Sequence, residues 1–170
     1  MLLKSPLLIG IGTRIRKSPY FNSTIKYGVK GFTIYNKMYL PTGFSSPVEE
    51  YLSLINDVTF GDFAAERQVE VSGPDAFDFI KYINPRNLSK CNIGDCKYIV
   101  LTDSIGCIIN DACLIRLEDD KFWVSPGDGD VLLWLQGLAM HSGMNVNICE
   151  PDVSPLQISG PKAGRLIQKL

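Results

Sequence analysis

The sequence predicts an α+β fold, with antiparallel sheets and helices packed against them. Three observations carry this reading. Several short runs rich in β-branched and aromatic residues are joined by tight turns, as in "KYIVLT" and "CIINDACLIRL". Between them lie helical stretches with recognisable start and stop residues. A strand, Ser-Gly-Pro, helix unit also occurs twice. Strands and helices are mixed, and the connections between strands are short, which favours antiparallel pairing.

In chain order, "KGFTIYNKMYLPTGF" (30–44) predicts strand pieces around Asn36 and Lys37, ending at Pro41. "SSPVEEYLSLINDV" predicts a helix. Ser46 can cap it, Pro47 fits its first turn, and Glu49 and Glu50 suit the positive end of its dipole. "RQVEVSG" (67–73) is a strand and "PDAFDFIKYI" (74–83) a helix that begins at proline. "NPRNLSKCNIGD" is loop, and two strands follow, joined by a turn from Asp103 to Gly106. "KFWVS" is a further strand. "GDGDVLLWLQGLAMHSG" is a helix capped by Asp and closed by Gly143. "MNVNICE" and "PLQISG" are strands, and "PKAGRLIQKL" opens a last helix.

The repeat pairs "VEVSGPDAFDFIKYI" (69–83) with "LQISGPKAGRLIQKL" (156–170). The first copy continues into a hairpin, a strand, a helix and another strand. The second stops inside its helix, where Leu166, Ile167 and Leu170 have the spacing of a buried face. Two readings are open: two common βα units that look alike, or an incomplete second copy within a larger two-part domain.

Bulk properties exclude several functions. The 170 residues are 45% hydrophobic and 21% charged, with a net charge of −1. Such a balance gives no global field toward nucleic acid or anionic membranes. The opening "MLLKSPLLIGIGTRIRKS" is broken by Lys4, Pro6 and Arg14. It is poor as a signal peptide and too short to span a bilayer, so a cytoplasmic location is expected. Its Gly10 and Gly12 lack the third glycine of a dinucleotide loop. The five cysteines form no CxxC, and His141 is the single histidine, so no metal site is expected. The cysteines read as reduced, small buried hydrophobes.

Asp111 stands in the middle of an apolar strand. Alternation places it with Ile109 and Cys113, and a buried unpaired carboxylate is costly. Either it is functional, or it is a structural acid paired with Arg67 or Arg116, or it lies at a bulge.

"ERQVEVSGPDA", "KYIVLTDSIGCIINDACLIRL" and "ISGPKA" resemble the folate-binding domain of the aminomethyltransferase family, which includes the T-protein of glycine cleavage. Tyr98 falls on the family's strand tyrosine, Gly106 on a turn glycine, and Asp111 on the functional aspartate. Asn110 replaces the usual first acid of that pair. "AAERQ" stands where T-proteins carry Ser-His, and "VSPGD" where an asparagine is usual. These departures, with "RIRKSPY" and "YGVKGFTIYNKMYLPTGF", are similar to the dimethylsulfoniopropionate demethylase branch. The family's "GYTGE"-like segment has no counterpart here. The resemblance therefore implies that residues 1–170 are the N-terminal part of the folate-binding domain.

The resemblance further implies tetrahydrofolate as cofactor and a small sulfonium or methylamine substrate, without nucleic acid or membrane partners. The expected activity of the whole protein is demethylation of dimethylsulfoniopropionate to methylmercaptopropionate and 5-methyltetrahydrofolate. A glycine-cleavage-type aminomethyltransferase and a non-catalytic folate-fold module are the alternatives. Asp111 is the expected catalytic residue and a folate ligand, with Tyr98 and Ser125 as further folate contacts. Tyr35 is the expected substrate contact, because an aromatic face attracts a sulfonium; its alternative is core packing. Trp123 and Trp134 read as core. Lys30, Lys37 and Arg67 are surface charges by default, or anchors for a substrate carboxylate. An unfinished sheet edge and an uncovered last helix invite homodimer formation.

Overall fold

The computed structural model describes residues 12 to 169. The opening apolar stretch through Ile11 and the assignment of Leu170 to a helix face lie outside the described residues. The chain divides into two compact units. One combines the chain up to Ala65 with the chain from Ser154 onward; the other is Glu66–Val153.

The second unit is a five-stranded antiparallel sheet with helices on one face. Its elements are β4 (Val69–Ser72), α3 (Ala76–Ile83), β5 (Cys96–Thr102), β6 (Ile108–Glu118), β7 (Lys121–Pro126), α4 (Val131–Ser142) and β8 (Asn147–Cys149). The strand order is β5-β6-β7-β4-β8. Alternation sorts its side chains. Val69, Val71, Ile99, Leu101, Ala112, Leu114, Phe122 and Val124 point to one face and are buried. Phe79, Ile80 and Ile83 of α3, with Val131 and Leu135 of α4, join them in one core. Gly143, at φ 70°, closes α4, a conformation that suits glycine. Asp130 stands at its N-cap but makes no side-chain capping bond.

The first unit begins with α1 (Phe21–Lys26) and the hairpin β1 (Gly31–Tyr35) and β2 (Met38–Gly43). The expected strand pieces meet at Asn36 and Lys37, which have φ of 48° and 62°. Positive φ at both central residues marks a tight hairpin turn. The strand runs through Pro41 to Gly43 rather than stopping at the proline. Among the described residues its one sheet partner is β1, with an isolated bridge from Met38 to Arg16 at its start, so Pro41 sits in an edge strand, where its missing N–H is tolerated. Next comes α2 (Pro47–Asn56), with the expected cap. The Glu49 backbone N–H donates to Ser46 Oγ at 3.2 Å, and the Ser46 N–H donates to Glu49 Oε2 at 3.0 Å. That bond holds the Glu49 carboxyl below its ordinary range. β3 (Thr59–Asp62) pairs with β9 (Leu156–Ser159), and α5 (Ala163–Ile167) follows. The sequence reading missed α1 and β3. Both are short and lack clear periodicity, and β3 is held by a partner about a hundred residues away.

The fold is thus α+β, and among the described residues the second Ser-Gly-Pro unit lies in the two-stranded sheet β3–β9. The helix of "PDAFDFIKYI" starts two residues after Pro74, because Pro74 and Asp75 form the turn that leaves β4. The burial expected for the cysteines holds only for Cys91. Cys96, Cys107 and Cys113 are exposed and Cys149 is half-buried, because the strand positions of Cys96 and Cys113 face away from the helices. Trp134 packs against the core, whereas Trp123 lies between the buried Phe122 and Val124 and points to the opposite, open face.

Candidate functional site

The open face of the five-stranded sheet gathers the sequence-predicted polar residues. Tyr98 on β5 lies opposite Cys113 on β6, and Val100 opposite Asp111. Cys113 in turn lies opposite Ser125 on β7. The face therefore carries Tyr98, Asp111, Cys113 and Ser125 on three adjacent strands. Tyr35 belongs to the other unit. It ends β1 opposite Met38 and packs beside Met38, Ala64 and Ala65.

Asp111 is neither buried nor paired with arginine. It is exposed, and its Oδ2 accepts the Tyr98 hydroxyl at 2.5 Å. The two are diagonal neighbours across the strand pair, within reach of a tyrosine. Arg67 instead binds Glu150, with Nη2 2.5 Å from Oε2. Arg116 reaches the Cys91 carbonyl at 2.8 Å and Asp119 at 3.2 Å, and stacks over Phe77 and Phe122. Asp111 shares its face with Ile109 and Cys113 as expected, but that face is the uncovered one.

Electrostatics follow from this geometry. The Asp111 bond raises the Tyr98 phenol above its ordinary range, with smaller contributions from desolvation and the Asp111 charge. Tyr98 therefore stays protonated and donating at neutral pH. Desolvation raises the Cys113 thiol, helped by Cys96 and by the carboxylates of Glu66 and Asp111. Burial also raises Glu66. Its raised thiol holds Cys113 back from thiolate chemistry.

Supporting bonds set the frame. Arg86 Nη1 donates to the Tyr98 carbonyl at 2.5 Å. Asn110 Nδ2 donates to the Asp128 carbonyl at 2.5 Å, while its Oδ1 accepts the Asp111 N–H at 2.8 Å. Asn110 thus ties the Asp111 backbone to the loop after β7. An aspartate at this position would have no N–H to donate to that carbonyl. Gln68 Nε2 donates to Ser125 Oγ at 2.9 Å and to the Glu66 carbonyl at 3.0 Å. The Ser125 hydroxyl hydrogen is then left to donate outward. Trp123 Nε1 donates to Glu70 Oε2 at 3.0 Å. Sequence reasoning missed Gln68, Arg86 and Asn110 as supports, because nothing in their local spacing shows which strand they reach. Among the described residues, no three His, Cys, Asp or Glu side chains are grouped to hold a metal ion. No described helix is long and apolar enough to cross a membrane.

The site is thus a helix-backed antiparallel sheet that carries an acceptor carboxylate and a donor hydroxyl on its other face. Residues 21–170 match the family described as the GCVT N-terminal domain, and the chain belongs to that family. It is 40% identical over 157 residues to the dimethylsulfoniopropionate demethylase of Ruegeria pomeroyi, covering 92% of this chain and 43% of that protein. It is 28% identical over 161 residues to an aminomethyltransferase of Corynebacterium jeikeium, covering 93% and 41%. The crystal structure of the glycine cleavage system aminomethyltransferase T from Bartonella henselae shares the fold. Its TM-score is 0.81 at 22% identity, over 91% of this chain and 43% of that one. The chain therefore spans less than half the length of these relatives.

Proposed function

We propose that this chain is the N-terminal part, residues 1–170, of a tetrahydrofolate-dependent methyltransferase acting on dimethylsulfoniopropionate. The observation that carries the site is the Tyr98–Asp111 pair on the open sheet face. The demethylase is favoured over the aminomethyltransferase by identity, 40% against 28% over nearly the same span.

The residues present fit a folate. Asp111 offers an exposed carboxylate on a rigid strand, which suits N–H donors on the edge of a pterin. Tyr98, 54% exposed, offers an aromatic face beside it. Ser125, anchored by Gln68, offers a donor hydroxyl. Asp111, Tyr98 and Ser125 would hold the folate, which would supply a nitrogen nucleophile for the methyl group of the sulfonium. Sulfonium is a good leaving group, so the protein need not supply a strong acid. Its work is alignment and exclusion of water. Tyr98 holds the Asp111 carboxylate in one orientation. Asp111 can then accept a hydrogen bond from a folate N–H and favour positive charge developing there. Tyr35 is kept as the proposed substrate contact, through attraction of its ring for a sulfonium.

The test joins this chain to the C-terminal part of the Ruegeria demethylase and measures methyltetrahydrofolate formation. The donors are dimethylsulfoniopropionate, dimethylglycine and the aminomethyl carrier protein of glycine cleavage, in separate reactions. Product from the sulfonium alone is expected. Activity with the carrier protein alone would place the chain with the aminomethyltransferases.

A further inference from the structure

Two thiols meet on the open face of the five-stranded sheet, beside the Tyr98–Asp111 pair. Cys96 on β5 lies opposite Ile115, and Cys113 on β6 lies opposite Tyr98. Cys96 therefore stands to Cys113 as Tyr98 stands to Asp111, on the same diagonal and two residues further from the β5–β6 turn on each strand. Between Tyr98 and Asp111 that diagonal is closed by a hydrogen bond of 2.5 Å. Here it is closed by two short side chains, and the Cys96 thiol lies near enough to hydrogen-bond that of Cys113. Both cysteines are exposed, and both are free thiols.

The remaining cysteines are out of reach of this pair. Cys91 is buried in the core on the helix side of the sheet. Cys107 lies at the β5–β6 turn, about 20 Å along the extended strands from Cys96 and Cys113. Cys149 lies on β8, at the opposite edge of the sheet and three strands from β6, about 14 Å at the usual strand spacing. Diagonal neighbours stand somewhat farther apart than a disulfide spans, so a bond between them needs the two strands to close slightly. β5 can do this, because β6 is its one sheet partner among the described residues and no strand beyond β5 is disturbed.

We propose that Cys96 and Cys113 form a reversible dithiol–disulfide site on the open sheet face, oxidised by a small-molecule disulfide and reopened by small thiols. The Cys96 thiolate attacks one sulfur of the incoming disulfide, forms a mixed disulfide and releases one small thiolate. The Cys113 thiolate then attacks Sγ of Cys96, forms the Cys96–Cys113 bond and releases the second. The two protein thiols lose two electrons, the small disulfide is reduced to two thiols, and the two protein protons pass through solvent to the released thiolates. The order follows from the surroundings of Cys113. Desolvation, the Cys96 thiol, Glu66 and Asp111 all hold its proton on. Once Cys96 is a mixed disulfide, its charge and its thiol hydrogen bond are gone, and that part of the hold is released. Cys113 also lies opposite Ser125, so the link closes within the face that carries Tyr98, Asp111 and Ser125. The inference does not depend on the folate reading, and its test reads a covalent bond rather than turnover.

The purified chain is incubated with oxidised glutathione, quenched in acid, digested without reduction and read by mass spectrometry. A peptide pair joining Cys96 to Cys113 is expected, and reduced glutathione should reopen it. Ring closure is intramolecular, so the linked form should exceed the form carrying glutathione on both cysteines at least tenfold. Cys113→Ser should trap glutathione on Cys96, and Cys96→Ser should give no link. Both positions are exposed, so serine leaves the fold intact. An unmodified chain, glutathione on both cysteines without the link, a link to Cys107 or Cys149 in its place, or a link that reduced glutathione leaves closed would each overturn the proposal.

Discussion

Helices α3 and α4 in one unit and α5 and α2 in the other flank the same glycine junction, yet they bury very different amounts. α3 buries Ala76, Phe79, Ile80 and Ile83, and α4 buries Val131 and Leu135; α2 and α5 bury nothing. The local signals are equally good in both. Indeed α2 has the better start, with its capping box, whereas α4 has no side-chain cap. What differs is the sheet beneath. Five strands present enough apolar surface to cover two helices, whereas two strands do not. Capping and propensity thus decide that a helix forms, and sheet breadth decides what it buries.

The largest expected effect sharpens this contrast. Phe79→Ala should destabilise the Glu66–Val153 unit by about 3–5 kcal/mol, since it opens a cavity in a fully packed core. Leu54→Ala on the exposed face of α2 should change stability by less than about 1 kcal/mol. Urea unfolding of the two variants measures both. Equal losses would mean that the two-stranded half packs its helix as tightly as the completed sheet.

Asp111→Asn probes the face that only the completed sheet possesses. In the joined enzyme it should lower turnover about 10²-fold, the usual effect of removing one positioned electrostatic group, and leave the melting temperature nearly unchanged. Turnover near that of the unsubstituted enzyme removes Asp111 from the mechanism.

The junction glycines test the equivalence itself. Gly73→Ala and Gly160→Ala each force a side chain into an unfavourable φ and against a backbone carbonyl, at about 1–3 kcal/mol of strain. In the isolated chain, Gly73→Ala should lower the stability of the five-stranded unit. Gly160→Ala should speed amide exchange only in β3 and β9. A global loss from Gly160→Ala would contradict the separate behaviour of the two junctions.

The smallest effect is a titration. Tyr98 is raised because its O–H bonds Asp111. The bond is intact below the ordinary tyrosine range and is lost as pH rises through the raised value. Asp111→Asn should bring the Tyr98 midpoint back down toward about 10, followed by NMR of labelled tyrosine. An unchanged midpoint would show that Asp111 does not hold the phenol.

Most elements were legible locally. Ser46-Pro47-Glu49, the Asp103–Gly106 turn and Gly143 mark boundaries through contacts within a few residues, and the structure has them in place. The strand of Asp111 was legible too, but not which of its faces is covered. The apolar Ile109 and Cys113 suggested burial, whereas the helices lie on the side of Ala112 and Leu114. The same ambiguity misplaced Trp123 and the cysteines, since alternation separates two faces without saying which meets a helix.

By itself the sequence determined the α+β class, the Ser46 capping box of α2 and the Gly143 stop of α4, the repeated Ser-Gly-Pro junction and the presence of a carboxylate on a central strand, but not the side-chain cap expected from an Asp at the start of α4. These rest on backbone preferences and short-range hydrogen bonds, which act wherever the chain carries those residues. Only the tertiary structure decided that Tyr98 reaches Asp111, that Gln68 anchors Ser125, that Arg67 is taken by Glu150, and that β3 pairs with β9. Each of these joins groups from 13 to 100 residues apart. Such contacts depend on strand order and register, which arise from how the whole core packs and not from any local stretch.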